Sequence, residues 1–283
     1  MFISYYHTGL EGAGAQYQRI VSLISIARRH NLKYIHIPIK IDHNYNNDPD
    51  WDEKWDKMFN IKKLANNNEI DYLTLDNKKP KIIRDVTLEE LLKDNENNTN
   101  VLNYYHSLLK IFDNNPDYYL SNIQKELIDT YDEINSTRKL IYDKNKINIA
   151  IHLRVYNNFD DKECYQDFLE KKSLRFYMSD DMYIKYINIL KINYPNADIH
   201  IFSQKDNFNI HYSKLQELKD IKLHFDDLDV FDTFHHLCKA DVLCLGTSSF
   251  SILAGFYNKN TVIYMPYYHP PSLKSWLVYN PLN

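Results

Sequence analysis

Arg154 is the residue from which chemistry is most readily argued. It stands next to last in "KINIAIHLRV" (146–155), where apolar and small positions lead into His152-Leu153-Arg154 before the chain turns polar at "YNN". The run reads as a buried strand over 147–153, and open α/β sheets bind ligands at the carboxyl ends of their strands. A guanidinium there offers five donors in a fixed fork, suited to a pair of phosphates. His152 shares its face by alternation as far as strand geometry persists. The plainer alternative is an arginine leaving the core to pair with a surface carboxylate.

Two further stretches have this character. "LGTSSFSILAGF" (245–256) follows the short run "DVLCL" and opens an apolar helix. Thr247, Ser248 and Ser249 therefore stand where a helix cap belongs, and where hydroxyls and N–H groups can face a phosphate. A plain N-cap satisfies the same pattern. "HTGLEGAG" (7–14) separates a β-prone run from a helix, a place suited to anions or sugar hydroxyls, and equally to a simple turn. All five glycines fall in these two stretches: Gly9, Gly12 and Gly14 in one, Gly246 and Gly255 in the other. With 24 tyrosines and abundant Asn, Ile and Lys, that scarcity points to AT-rich coding. Glycine should then persist mainly where the backbone demands it.

Positioning these residues takes alternating strands and helices. Strand 2–6, the glycine loop, helix 15–31 and strand 32–39 form a βαβ unit. The pattern loosens afterwards. "DPDWDEKWDKMFNI" (48–61) reads as a helix with Trp51, Trp55 and Phe59 on one stripe, either core or a sugar-stacking surface. Residues 101–143 read as two or three helices broken at "DNNPDYY". From 147 the alternation restarts, with strands 147–153, 198–203, 221–225, 241–245 and 261–265 around helices 179–193, 211–219, 230–239 and 249–258. The expected fold is α/β, two Rossmann-like domains facing a cleft, with residues 1–145 and 146–283 as the domains.

Composition narrows the function. The chain has 283 residues, 44% hydrophobic and 25% charged, enough for a packed core. A net charge of −4 speaks against a general nucleic-acid binder. No stretch approaches the roughly 18 apolar residues of a membrane span, and "MFISYYHTGLEG" lacks the pattern of a signal peptide. Cys164, Cys238 and Cys244 show neither metal spacing nor an even count, so a reducing, cytoplasmic location is expected, a host's cytoplasm if the chain is viral. "DPDWD" and "DLDVFD" contain the Asp-x-Asp of metal-dependent transferases, but in an Asp-rich chain they are assigned to helix starts and loops.

Taken in order, "GLEGAGAQYQRI", "IHLRVYNN", "SDDMYIKYINIL…ADIHIFSQKDNF" and "FDTFHHLCKADVLCLGTSSFSILAGFYNKNTVIYMP" resemble the fucosyltransferase superfamily, which uses GDP-fucose on a GT-B scaffold. It includes α1,2-, α1,6- and protein O-fucosyltransferases. The resemblance covers residues 7–39 and 147–266. "GAGAQ" departs from "GGxGNQ" at Ala15, and Asn157 stands where "HxRxxD" has Asp. "FSQKD" stands for "FSDD", and "GTSSFSIL" for "NSSFSWW".

The resemblance implies an inverting, metal-independent transferase with a GDP-sugar as donor substrate and no cofactor. Its partners would be a nucleotide sugar and a glycan or glycoprotein acceptor. Arg154 would hold the β-phosphate, Ser248 and Ser249 would donate to the diphosphate with Thr247 beside them, and His152 would line the nucleotide pocket. Asp232 would lie near guanine or ribose, and Gly12 and Gly14 would let their loop approach the sugar. Glu11 is the candidate general base, with Asp160 and Asp161 as alternatives. Two rivals stay open. A polysaccharide pyruvyltransferase-like enzyme, or a transferase of another nucleotide sugar, shares the architecture. A non-catalytic GT-B relative would fit the departures at Ala15, Asn157 and Gln204.

Overall fold

Strand and helix alternate in two separate series, and the chain divides into two units, Met1–Thr137 and Arg138–Asn283. The computed structural model describes residues 2–5, 12–41, 48–65, 81–82, 88–89, 92, 101–103, 107–155, 178–205, 212–225, 227–265 and 273–280. Glu11, Asp160, Asp161 and Cys164 lie outside them.

The amino-terminal unit contains a parallel sheet of β1 (Phe2–Ser4), β2 (Lys33–Tyr34), β3 (Lys81–Ile82) and β4 (Val101–Asn103), in the order β2-β1-β4-β3. Helix α1 (Ala13–Arg29) links β1 to β2 and buries Tyr17, Ile20, Val21 and Ile24, the i, i+3, i+4, i+7 face its sequence spells out. The helix α2 (Trp51–Phe59) ends at Asn60, whose φ of 48° lies in the left-handed region that Asn tolerates. The short α3 (Ile61–Leu64) follows. Helices α4 (Ser107–Asn114), α5 (Pro116–Leu120) and α6 (Gln124–Asn135) come after β4, with Pro116 at the first turn of α5.

The aromatic stripe of α2 is core. Trp51, Trp55 and Phe59 are buried, with Phe59 stacked on Trp55 and 4.3 Å from the Tyr17 ring. Residues 101–103 pair with β1 as a strand, where helix was expected. Three residues are too few for either period to register.

The carboxyl-terminal unit contains a second parallel sheet. Its strands are β5 (Asn148–His152), β6 (Asp198–Ser203), β7 (Lys222–Phe225), β8 (Val242–Cys244), β9 (Thr261–Tyr264) and β10 (Leu277–Val278). Their order is β10-β9-β8-β5-β6-β7. Helices α7 (Asp180–Asn193), α8 (Ser213–Gln216), α9 (Val230–Lys239) and α10 (Ser249–Tyr257) connect them. Ile149, Ile151 and Leu153 alternate onto a core with Tyr183, Tyr186, Ile187 and Leu190 of α7. Ala150 and His152 therefore face the other side.

The carboxyl-terminal unit begins at Arg138. Residues 138–142 are bonded to α9: Arg138 to Asp232, Ile141 N to His236 and Tyr142 Oη to the His236 carbonyl.

Candidate functional site

From β5 the chain steps outward through β6 to β7, then returns to the other side of β5 and steps through β8 and β9 to β10. Strands β5 and β8 are thus neighbours from which the connections run in opposite directions. That reversal is the topological switch point, and the crevice outside the carboxyl ends of such strands is where open α/β sheets bind ligands. His152 and Arg154 end β5, and Gly246 to Ser251 follow β8. Five of the residues singled out in the sequence, His152, Arg154, Thr247, Ser248 and Ser249, are therefore gathered at one place by pairing of Ile149 with Val242 and Ile151 with Cys244.

The turn after β8 lies directly against the end of β5. A Cβ at Gly246 would stand 2.1 Å from the His152 carbonyl oxygen and 3.3 Å from its Nδ1, so only glycine fits. Ser248 caps α10, its Oγ accepting from Phe250 N at 3.2 Å. Because the cap uses Oγ as an acceptor, the hydroxyl proton stays available to a ligand. Ser251 ties the turn from inside. Its Oγ accepts from Gly246 N at 3.1 Å and has the carbonyls of Ser248 (3.0 Å) and Gly246 (3.2 Å) within donating reach. Neither Ser251 nor the Gly246 contact was anticipated, because one is a tertiary bond and the other a tertiary collision.

Electrostatically the site suits an anion. Helix α10 has no acidic residue in its first turn, so the positive end of its dipole is uncompensated there. Arg154 is exposed at the strand end. Its neighbour His152 is held down to a pKa of about 3, first by burial and then by the Arg154 charge. The ring is neutral near pH 7, packed 5.3 Å from Phe250, and its buried Nδ1 has no hydrogen-bond partner among the described residues.

Asp232 stands in the first turn of α9, whose start follows β7. Its N–H is accepted by the capping Asp229 at 2.7 Å, and its Oδ1 accepts from Arg138 Nη1 at 2.6 Å. Gly12 and Gly14 belong to the amino-terminal unit, at the N-cap and in the first turn of α1. Gly12 has an ordinary φ of −70°, and a Cβ there would meet nothing within 4 Å. The backbone thus requires Gly246 but not Gly12.

The Asp-x-Asp stretches are used structurally, as expected. Asp52 accepts from Ile41 N, Asp48 pairs with Lys54, Asp229 caps α9, and Asp227 bonds His224. Among the described residues no group of three or more His, Cys, Asp or Glu is placed to hold a metal ion.

No protein-family model matches the chain, and no curated protein matches its sequence. Solved structures do match. A crystal structure of POFUT1 in complex with GDP superimposes with a TM-score of 0.50 at 11% identity, covering 92% of this chain and 94% of that one. The fold is similar to that of POFUT1. Two other crystal forms, with GDP and with GDP-fucose, align at TM-scores of 0.45 and 0.46, again at 11% identity, over 92% of this chain and 97% and 95% of theirs. At that identity the likeness is one of fold, a mixed α/β architecture with parallel sheets.

Proposed function

We propose that this chain is a GT-B glycosyltransferase that transfers fucose from GDP-fucose, with inversion and without a metal ion, to a hydroxyl of a glycan or protein. One observation carries the proposal: an arginine and a capped helix start meet at the switch point of a parallel sheet. Binding of GDP by a protein of similar fold supports the nucleotide, and the ordered motifs from "GAGAQ" to "GTSSFSIL" support the sugar.

The chemistry follows from charge. Glycosyl transfer passes through an oxocarbenium-like state while negative charge grows on the departing diphosphate. Arg154 meets that charge at the β-phosphate, joined by the hydroxyls of Thr247, Ser248 and Ser249 and by the N-terminal end of α10. Donors fixed in place before the bond breaks stabilise the transition state more than the ground state. His152, neutral, lines the nucleotide pocket as a hydrogen-bonding group rather than a cation. Asp232 accepts from guanine beside Arg138. The acceptor hydroxyl gives its proton to a general base, for which Glu11 is the candidate.

Thermal unfolding with GDP, UDP, CMP and their sugars tests this, with Arg154→Ala in parallel. Ligand at a hundred times its Kd stabilises by about 2.7 kcal/mol, which moves the midpoint of a chain this size by roughly 4–5 °C. A GDP-selective shift that Arg154→Ala abolishes is expected. A shift with another nucleotide alone replaces the donor, and none with any nucleotide overturns the proposal.

A further inference from the structure

Several titratable groups outside the proposed site gather on one face of the carboxyl-terminal sheet. His200 Nδ1 lies 3.0 Å from His224 Nε2, and His224 Nδ1 lies 2.8 Å from Asp227 Oδ2. His236 of α9 packs over the same face, its ring 5.7 Å from that of Phe202. Both of its nitrogens are engaged. Nδ1 faces the Asp232 carbonyl at 2.6 Å and so carries the proton, while Nε2 accepts from Ile141 N at 2.9 Å. Further contacts bind the same segment: Tyr142 Oη donates to the His236 carbonyl at 2.8 Å, and the Tyr142 ring meets those of His236 and His200 edge-on. Arg138 donates to Asp232. Of the bonds that hold the first residues of this unit along α9, the one from Ile141 N exists in only one tautomer of one histidine.

We propose that residues 138–142 form a latch, closed while His236 is neutral and opened when its ring gains a proton. Protonation places a hydrogen on Nε2, where it faces the Ile141 N–H, so an acceptor becomes a second donor and the bond is lost. The surrounding charges divide. Asp232 on the same helix and Asp227 after β7 favour the cation. His224 on β7 opposes it; His200 on β6 is itself held neutral until near pH 4, and Arg138 of the segment is paired with Asp232. Tyr142 contributes no charge. Burial holds the His236 pKa below its ordinary value, so the latch opens on the acid side of neutrality. Arg138 moves with the segment, which places Asp232 under the same control. That last consequence rests on the nucleotide-site proposal; the latch itself does not.

Hydrogen exchange at the Ile141 amide tests the latch without any nucleotide, so failure of the GDP site leaves the test intact. Protection is followed between about pH 7.5 and 4.5 alongside the ring titration of His236 by NMR. The Leu153 amide, bonded to the Phe202 carbonyl at 3.0 Å in the same unit, serves as internal reference. As pH falls from about 6.5 toward the His236 midpoint, Ile141 should lose protection by up to about tenfold per pH unit, while Leu153, which reports opening of the whole unit, stays the better protected of the two. In His236→Gln, whose side-chain carbonyl can accept from Ile141 N at every pH, the step should vanish. The latch is overturned by Ile141 staying protected through the His236 titration, by Ile141 and Leu153 opening together, or by the step persisting in His236→Gln. Should that variant not fold, comparison of the two amides in the unaltered chain decides alone.

Discussion

At the scale of single residues, a glycine means different things at two positions of this chain. Gly246 is required because the His152 carbonyl occupies the space of its Cβ, at 2.1 Å. Gly246→Ala must push apart two stretches of backbone, β5 and the turn after β8, and should cost at least about 1–3 kcal/mol, as overpacking does. Gly12 stands in open space with an ordinary φ. Gly12→Ala should lose less than about 1 kcal/mol, the difference between Gly and Ala at an N-cap. Urea unfolding of both variants checks the contrast, and equal losses would remove the close approach from the account. The sequence marked both glycines as special. Only the collision partner, more than ninety positions earlier in the chain, tells them apart.

At the scale of an element, the start of α10 depends on two serines with different duties. Ser248 is the cap, and Ser248→Ala should cost about 1 kcal/mol, as lost caps do. Ser251 is wholly buried and accepts from Gly246 N, so Ser251→Ala leaves that N–H without its partner inside the protein. A buried donor stranded in this way costs about 1–3 kcal/mol. Ser251→Ala should therefore be the more destabilising of the two by denaturant titration. It should also weaken the GDP-dependent thermal shift, although Ser251 is turned away into the turn, because it fixes where the helix start points. A GDP shift that survives Ser251→Ala would separate nucleotide binding from the geometry of this turn.

At the scale of the whole molecule, acid should weaken the fold through its buried histidines. Burial lowers His152 to about 3 and His200 to about 4, and lowers His236 in the same direction. In the unfolded chain all three titrate near 6.5. Below that value the unfolded chain takes up protons that the folded one refuses, so stability is full above about pH 6.5 and falls as pH drops. Each such histidine contributes up to about 1.4 kcal/mol per pH unit, His200 until near pH 4 and His152 until near pH 3. Urea midpoints at about pH 7, 6 and 5 should fall progressively, and replacing His200 with Gln should flatten the slope; a level profile would mean these rings are not held neutral. What the sequence by itself determined is local. Strand 198–203 and helix 230–239 were read at the bounds observed, Arg154 at its strand end, and the cap of α10 within Thr247 to Ser249, because side-chain period, caps and turn residues are encoded within a few positions. The tertiary structure alone decided that β5 and β8 are neighbours at the point where strand order reverses, that the short runs at 81–82, 101–103 and 277–278 pair as strands, and that Arg138 and Ile141 belong to α9. Pairing of Ile149 with Val242 joins residues far apart in the chain through backbone hydrogen bonds, and a backbone bond leaves no mark on the residue types that make it.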